Sequence, residues 1–531
     1  MKKRGSWSSN FGFIMAAIGS AVGLGNIWGF PYKMGKSGGF SFLLIYLILA
    51  VIVGLTVMTA ELSLGRKTGT GVIGAYSKAS KSFKWIGWLG FLSPFLVMTF
   101  YSVLGGYCMQ YMSLNFAELA FNLQSIFGQA VTGSNTFDSM LKNPVGCCFF
   151  TFLFMALCML IVKGGISGGI EKFNKIGMPA LFVMLVIVII RSVTLPNAVE
   201  GLKFMFVPGY AVKAGFIPEE PDFISVLATA GGQMFFSLSL AMGIMVTYGS
   251  YLGKHENLVK NSMTIVLADT AVALCAGLAV IPAAVGNGIS NGIAVNEIAL
   301  GGPKLLFVTL QDVFSNMGSF GALFGIIFYA LVIIAAISSA ISLMEVLTTY
   351  YIDSAAKKGK ELDRATVTLW VSVAITVLAL LVSIDGLGSN GVWIPFQKFF
   401  GENLPMFCDC WLDFMDCLAE GLMMPLGAML MALMIGWQLR PKFILDEVHN
   451  GNNSKFFDKF FFVCIKFLVP VIMAFILAGQ IIDFFSCEAT AANIQVLAYG
   501  ISAGLLVIFF LVALISKKRY RNKADAEWQE Q

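Results

Sequence analysis

Long apolar runs alternate with short polar clusters along the whole chain. A membrane-spanning helix needs about 20 mostly apolar residues. Twelve runs qualify: 10–35, 41–65, 86–115, 145–163, 174–193, 224–252, 261–284, 320–353, 365–384, 411–438, 460–484 and 494–516. Backbone groups in lipid must bond within their own segment, so the runs predict helices. The period-two alternation of strands is absent. The expected fold is an all-α polytopic membrane protein. Composition agrees: 57% of the 531 residues are hydrophobic and 12% charged. Soluble domains carry about 25% charged residues. A soluble enzyme, a disordered chain and a nucleic-acid binder are thereby excluded.

Charge placement predicts orientation. With the N-terminus in the cytoplasm, 26 of the 35 Lys and Arg fall on the inner side, eight on the outer side, and Lys466 just inside the eleventh run. Inner loops rich in Lys and Arg are the rule, so both termini are expected inside a plasma or inner cell membrane. The basic stretch 517–523 reads as a positive-inside stop, with lipid recognition as the alternative. Outer connections span 116–144, 194–223, 285–319 and 385–410. The third, with apolar pairs between glycines, reads as a re-entrant or capping loop. Ten cysteines show no C-x-x-C pair, and most sit in apolar runs; they read as packing thiols.

Two runs are interrupted at mid-depth. The first, FGFIMAAIGSAVGLGNIWGFPY, carries Gly19, Gly23 and Gly25 followed by Asn26. Small residues serve helix packing in membranes, but an amide at this depth needs partners. The sixth carries Ser237, Ser239 and Gly243, with Gln233 above. Interrupted helices at matching places in two halves point to a transporter's midplane site. An unwound helix offers free N–H groups at one half-helix end and free C=O groups at the other, suited to a carboxylate and a cation.

The stretch GSAVGLGNIWGFPY (19–32) resembles the opening helix of the neurotransmitter:sodium symporter family, in its bacterial amino-acid-transporting branch. AELSLGR (60–66), GGQMFFSLSLAMG (231–243), MVTYGSY (245–251), AGLAVIPA (276–283) and AAISSAISLMEV (335–346) extend the likeness. The resemblance implies a leucine-transporter-like fold of twelve helices. That fold is a 5+5 inverted repeat with helices 1 and 6 broken, plus two C-terminal helices. The expected division is a first repeat over 1–193, an outer loop over 194–223, a second repeat over 224–438, and helices 11 and 12 with a basic tail over 439–531.

The resemblance also implies two Na⁺ sites. One matches backbone oxygens of Gly19, Val22 and Ala335 and hydroxyls of Ser338 and Ser339; helix–helix hydrogen bonding is the plainer role for these serines. The second matches Ala21, Asn26, Ser237 and a polar residue in span seven. An ungapped match gives Ala268, which has no ligating side chain; one residue of slip gives Asp269. A carboxylate within a span is a functional hypothesis by default, with pairing to neighbouring polar groups as the alternative. Animal relatives balance charge here with chloride, and many bacterial ones with a built-in acid, at a position that reads Val272 or Ala273 in this chain. Asp269 would supply the charge instead, so no chloride is expected.

The matching substrate contacts are Leu24 and Gly25 N–H groups and the Tyr101 hydroxyl for a carboxylate, with carbonyls of Ala21, Phe236 and Ser239 for an ammonium. Family monoamine carriers place aspartate where this chain has Gly23, which favours an amino acid. The side-chain pocket maps to Ser20, Val97, Phe236, Met242, Ser339, Ser342 and Leu343, which points to a neutral, hydrophobic substrate. Val97, Phe236 and Met242 read equally well as packing residues. Ala241 stands where the family usually has glycine.

For gating, the likeness implies a Phe236–Tyr101 lid on the outside. The outer Arg–Asp pair is incomplete, since Asp416 is present but Gly29 replaces the arginine; Gln233 is expected to bond with Asp416 instead. Inside, Arg4 and Asp353 match the cytoplasmic pair, with Trp7 as a plug supported by Ser250 and Tyr251. Glu61 is expected to accept hydrogen bonds from the unwound part of span six, with a proton relay as the alternative. The expected function is Na⁺-coupled symport of a neutral amino acid across a lipid bilayer. The rivals are a carrier of another zwitterion such as an osmolyte, a non-transporting amino-acid sensor, and a membrane enzyme, which the two histidines outside the spans disfavour. Oligomeric state is not readable from the sequence.

Overall fold

The computed structural model describes residues 6–121, 134–298, 300, 302, 304–392, 410–448, 455–484 and 491–520. Arg4, Cys408, Cys487 and His449 lie outside them. The described residues are mostly helical, with no strand among them.

The first apolar run is α1 (Asn10–Ala21) and α2 (Gly25–Lys36), bent by 45° at the break between them. Then come α3 (Phe40–Thr68), α4 (Ile86–Phe121), α5 (Pro144–Lys163) and α6 (Ile166–Val193). The sixth run is α7 (Phe223–Ser237) and α8 (Ile244–Gly249), two helices with an unwound stretch between. α9 (Leu258–Ser290), α10 (Leu305–Ser315), α11 (Gly321–Lys357), α12 (Arg364–Asp385), α13 (Trp411–Leu439) and α14 (Lys455–Ile482) follow. α15 (Ala491–Tyr520) occupies the last run. Among the described residues nine helices, or ten with the bent α1–α2 pair, are long and apolar enough to cross a membrane.

Helix starts follow the local sequence. Ser9 caps α1 by accepting the Gly12 N–H at 3.0 Å. Asp222 caps α7 through the N–H groups of Ile224 and Ser225. Such caps satisfy donors that a helix start leaves orphaned. α4, α9 and α11 hold 36, 33 and 37 residues. At 1.5 Å per residue each is roughly 50 Å or more, longer than the ~30 Å hydrocarbon core, so their ends project from it. α4 and α11 make the most extensive helix pairing and form the centre of the bundle.

Two boundaries differ from the apolar pattern. α6 begins at Ile166 rather than 174, because the polar residues there are paired: Glu171 accepts the Ser8 N–H at 2.9 Å and its hydroxyl, and meets Lys175 at 2.7 Å. The outer stretch 285–319 is not simply a loop. It extends α9 to Ser290 and contains the apolar α10, which packs on α9 and α11. Gln311 of α10 exchanges two amide hydrogen bonds, 2.9 and 3.2 Å, with Asn115 of α4. All eight cysteines among the described residues are free thiols, five of them buried.

Candidate functional site

The break in the first span is built by donors that leave the helix ladder. The Gly23 N–H turns to the Asn26 side-chain oxygen at 3.1 Å, and the Leu24 N–H to the Tyr101 hydroxyl at 2.9 Å. In an unbroken helix these would bond the carbonyls of Gly19 and Ser20. Those carbonyls instead accept hydroxyls. Ser20 O receives Ser239 at 2.8 Å and Ser339 at 2.9 Å, and Gly19 O receives Ser339 at 3.3 Å. Ser338 donates to Ala335 O at 2.8 Å and reaches Val22 O at 3.4 Å. Gly19, Val22, Ala335, Ser338 and Ser339 thus bring five oxygens together between α1 and α11, all on buried residues.

The residues assigned to the second ion also converge. The Asn26 amide donates to Ser237 Oγ at 2.9 Å and Asp269 Oδ1 at 2.8 Å. Ser237 donates to both Asp269 oxygens at 2.9–3.0 Å. Tyr46, absent from the sequence reading, adds its hydroxyl to Ser237 and Asp269 at 3.3 and 3.4 Å. Asp269 is fully buried, whereas Ala268 is only partly buried and packs against the apolar core. One residue of slip therefore aims the carboxylate, not the methyl group, at Asn26.

A cavity of about 20 Å³ lies between the two breaks, lined by Ser20, Ala21, Gly23, Gly25, Val97, Tyr101, Phe236, Ser239, Met242, Ser339 and Leu343. That is room for about one water, so a larger occupant must displace side chains. Three assigned residues stand back from it. Leu24 contributes through the N–H that Tyr101 holds, and Ser237 faces Asp269. Ser342, expected as a pocket hydroxyl, bonds Ser338 O at 2.9 Å and the Tyr248 hydroxyl at 2.6 Å. A Cβ on Gly23 would lie 2.3 Å from Ser339 Oγ and 2.5 Å from the Tyr101 oxygen, so no side chain fits there. Tyr101 and Phe236 meet with ring centroids 6.3 Å apart.

The break in the second interrupted span is strained. Ser239, Ala241 and Gly243 have φ of 53°, 58° and 69°, a region costly to residues with a Cβ. Glu61 of α3, fully buried, accepts the Ala241 N–H at 2.8 Å. Its Oε2 has no hydrogen-bond partner among the described residues.

The outer pair differs from expectation. The Gln233 amide donates to Gly25 O at 2.7 Å rather than to Asp416. Its Oε1 sits 2.8 Å from where a Gly29 Cβ would lie, so it fills the space that Gly29 leaves. The ion pair is formed one helical turn further along both elements. Lys33, four residues after Gly29, meets Glu420, four residues after Asp416. Their side chains are 16% and 9% exposed. On the opposite side, Asp353 accepts the Gly71 N–H at 2.7 Å, while its expected partner Arg4 lies outside the described residues. Trp7 donates to Tyr248 O at 3.2 Å and packs edge-on against Tyr248 and Tyr251. The Ser250 hydroxyl bonds Thr247 O. Tyr251 reaches a buried cluster that sequence reading passed over: Glu345, paired with Arg364, accepts the Tyr251 and Thr349 hydroxyls at 3.0 and 2.9 Å. Acidic residues inside apolar runs were the available signal for Glu345 and Glu420.

Known proteins share this architecture. The profile of the sodium:neurotransmitter symporter family matches residues 4–125 and 137–519. A sodium-dependent transporter of Bacillus subtilis, YhdH, is 36% identical over 90% of this chain and 98% of its own length. The human sodium- and chloride-dependent GABA transporter 2 is 25% identical over 75% of this chain and 69% of its own. The crystal structure of MhsT in complex with L-phenylalanine superposes with a TM-score of 0.74 at 33% identity, covering 90% of this chain and all of that one. The chain is a multi-pass, non-enzymatic, sodium-dependent membrane transporter of a small molecule, and it belongs to the sodium:neurotransmitter symporter family.

Proposed function

We propose that this protein carries a neutral, hydrophobic amino acid together with two Na⁺ by alternating access, without chloride. The observation that carries the reading is the Asn26–Ser237–Asp269 cluster beside the cavity between the two breaks. In this reading Asp269 stands next to the α-carboxylate that Leu24, Gly25 and Tyr101 would hold. A cation between them has anionic oxygens on both sides, and Asp269 supplies the charge that chloride supplies elsewhere. Cation and substrate then raise each other's affinity by equal free energies.

The five oxygens between α1 and α11 suit the other ion. Oxygens bound at about 2.4 Å around a hard cation lie roughly 3.4 Å apart in near-octahedral geometry, close to the 2.8–3.4 Å spacings of the Ser338 and Ser339 contacts. The lining of Val97, Phe236, Met242 and Leu343 and the lack of room at Gly23 support an apolar amino acid over an amine. So does the L-phenylalanine bound to the similar MhsT. Phe236 and Tyr101 close over the substrate, with Lys33 and Glu420 as the outer pair in place of an Arg–Asp pair. Residues 1–193 and 224–438 form the two inverted repeats, and both termini lie in the cytoplasm.

The test is L-phenylalanine uptake into proteoliposomes, with the other amino acids as competitors. Uptake should require Na⁺ over choline and be equal in sodium gluconate and sodium chloride. Asp269→Asn should cut uptake in gluconate by tenfold or more. A several-fold drop of wild-type uptake in gluconate would falsify the role of Asp269 as fixed charge; competition by betaine-like zwitterions alone would replace the substrate class.

A further inference from the structure

Ser342 is fully buried on α11, one turn after Ser338, yet it stands outside the cavity. Its hydroxyl is within donating reach of Ser338 O at 2.9 Å and lies 2.6 Å from the Tyr248 hydroxyl, a bond in which either oxygen can be the donor. Tyr248, also fully buried, lies on α8 and in turn holds Trp7 twice. Its carbonyl accepts the indole N–H at 3.2 Å, and its ring meets the indole edge-on with centroids 5.0 Å apart. Trp7 lies two residues before the Ser9 cap of α1 and also packs against Phe13 of that helix, centroids 5.6 Å apart. α1 is thus fastened to α11 at two levels. Higher up, Gly19 O and Val22 O face Ser339 and Ser338. Lower down, Trp7 is seated on a tyrosine that Ser342 pins to the same helix.

From this geometry we propose that Ser342 is a positioning residue: its bond to Tyr248 couples the ion site between α1 and α11 to the seating of Trp7, and so to whether the foot of α1 stays closed. The proposal rests on the reading of Gly19, Val22, Ala335, Ser338 and Ser339 as an ion site. The two-state element is the foot of α1, seated or released. An ion clamps α1 to α11 above, and the Ser342–Tyr248 bond keeps the seat on α8 in register with α11 below. Both bias the same equilibrium, which is the requirement for coupling. Without that bond, the clamp above no longer fixes the seat below, although every ion ligand is intact.

The test is hydrogen–deuterium exchange of the Phe13 to Ile18 amides in the full chain in lipid nanodiscs, in NaCl and in choline chloride. In wild type, Na⁺ should slow exchange there. In Ser342→Ala and in Tyr248→Phe, exchange in Na⁺ should be about tenfold faster than in wild type, as expected for loss of a buried hydrogen bond. The Ser342→Ala/Tyr248→Phe double variant should be no faster than either single one, because both remove the same link. In both variants the choline-to-NaCl ratio of exchange rates should fall toward one, whereas a merely structural loss would speed exchange equally in the two salts and leave that ratio at its wild-type value, which would overturn the coupling. Should one variant fail to fold, the other removes the same bond. Unchanged exchange in the single variants, or additive effects in the double variant, would overturn the coupling. Wild-type exchange that is equal in Na⁺ and choline would instead overturn the ion-site reading and the coupling with it.

Discussion

The two interrupted spans reach a similar end by different physics. The α1–α2 break is opened by missing side chains. A Cβ would lie 2.0 Å from Asn174 at Gly19, 2.3 Å from Ser339 at Gly23 and 2.7 Å from Phe236 at Gly25. None of these three glycines needs a positive φ; they are glycines because neighbours come too close. The α7–α8 break is opened by the backbone itself, with Ser239 and Ala241 in the left-handed region and Glu61 holding the Ala241 N–H. The first break is specified by sterics and the second by a strained chain with a fixed acceptor. A steric device should fail in ligand binding, and a strained one in stability.

The sharpest way to break that contrast is Gly23→Ala. The added methyl group collides with Ser339 Oγ and the Tyr101 oxygen, which border the cavity. Substrate affinity should fall by roughly 100-fold or more, because both oxygens can yield only into the cavity that the substrate needs. Thermal stability in detergent should change far less than at the second break. Binding and melting measured on one preparation decide it; a variant that melts early yet still binds would reverse the assignment.

Glu61→Ala is the matching change at the other break. It leaves the buried Ala241 N–H without its acceptor, a loss of about 1–3 kcal/mol. Glu61→Gln keeps an acceptor oxygen and should lose less than Glu61→Ala. The melting temperature should order wild type, Gln, Ala. Equal melting for all three would mean that the unwound segment holds itself.

The smallest expected effect has the opposite sign. An L-residue in the left-handed region costs about 1–2 kcal/mol, while glycine carries an extra unfolded-state entropy of about 0.5–1 kcal/mol. Ala241→Gly should therefore stabilise by about 0.5 kcal/mol, seen as a small rise in melting temperature. A fall would show that the alanine methyl group packs more usefully than its φ suggests.

What the chain discloses by itself follows from the same contrast. The helical runs and both breaks are legible because lipid demands continuous apolar segments and glycines and serines stand out within them. A carboxylate and an amide inside spans say by themselves that partners are needed; that Asn26, Ser237 and Asp269 are one group is what the resemblance implies. The pairing of Lys33 with Glu420 is not legible. Lys33 lies near a span end, where a charge can equally face water, and Glu420, an acid inside a span, needs a partner without naming it; the fold reveals that they meet. The resemblance implies a pocket role for Ser342, but the Tyr248 hydroxyl on the neighbouring element and the Ser338 carbonyl draw it away. Tyr46 looks like an ordinary member of an apolar run until its contact with Asp269 is in place, and Glu345, an acid inside a span, signals that it needs a partner but not that Arg364 and Tyr251 supply it.

The bundle also contains short π-helical turns at Gly25–Gly29, Ala50–Gly54, Ile166–Ile170, Leu305–Thr309, Cys417–Met423, Met434–Leu439 and Cys464–Leu468. A π turn is an α-helix that has absorbed an inserted residue without growing a loop. Each one resets the angular bookkeeping by about 100°, the rotation of one α-helical residue. Relatives of this chain can therefore differ by one-residue gaps in the middle of a span, where alignments ordinarily forbid them. Glu420 sits inside such a turn. Deleting one residue between Cys417 and Met423 would restore α geometry and swing one half of that helix around its axis relative to the other. The acid facing Lys33 would then be chosen by the length of the turn as much as by the identity of the residue.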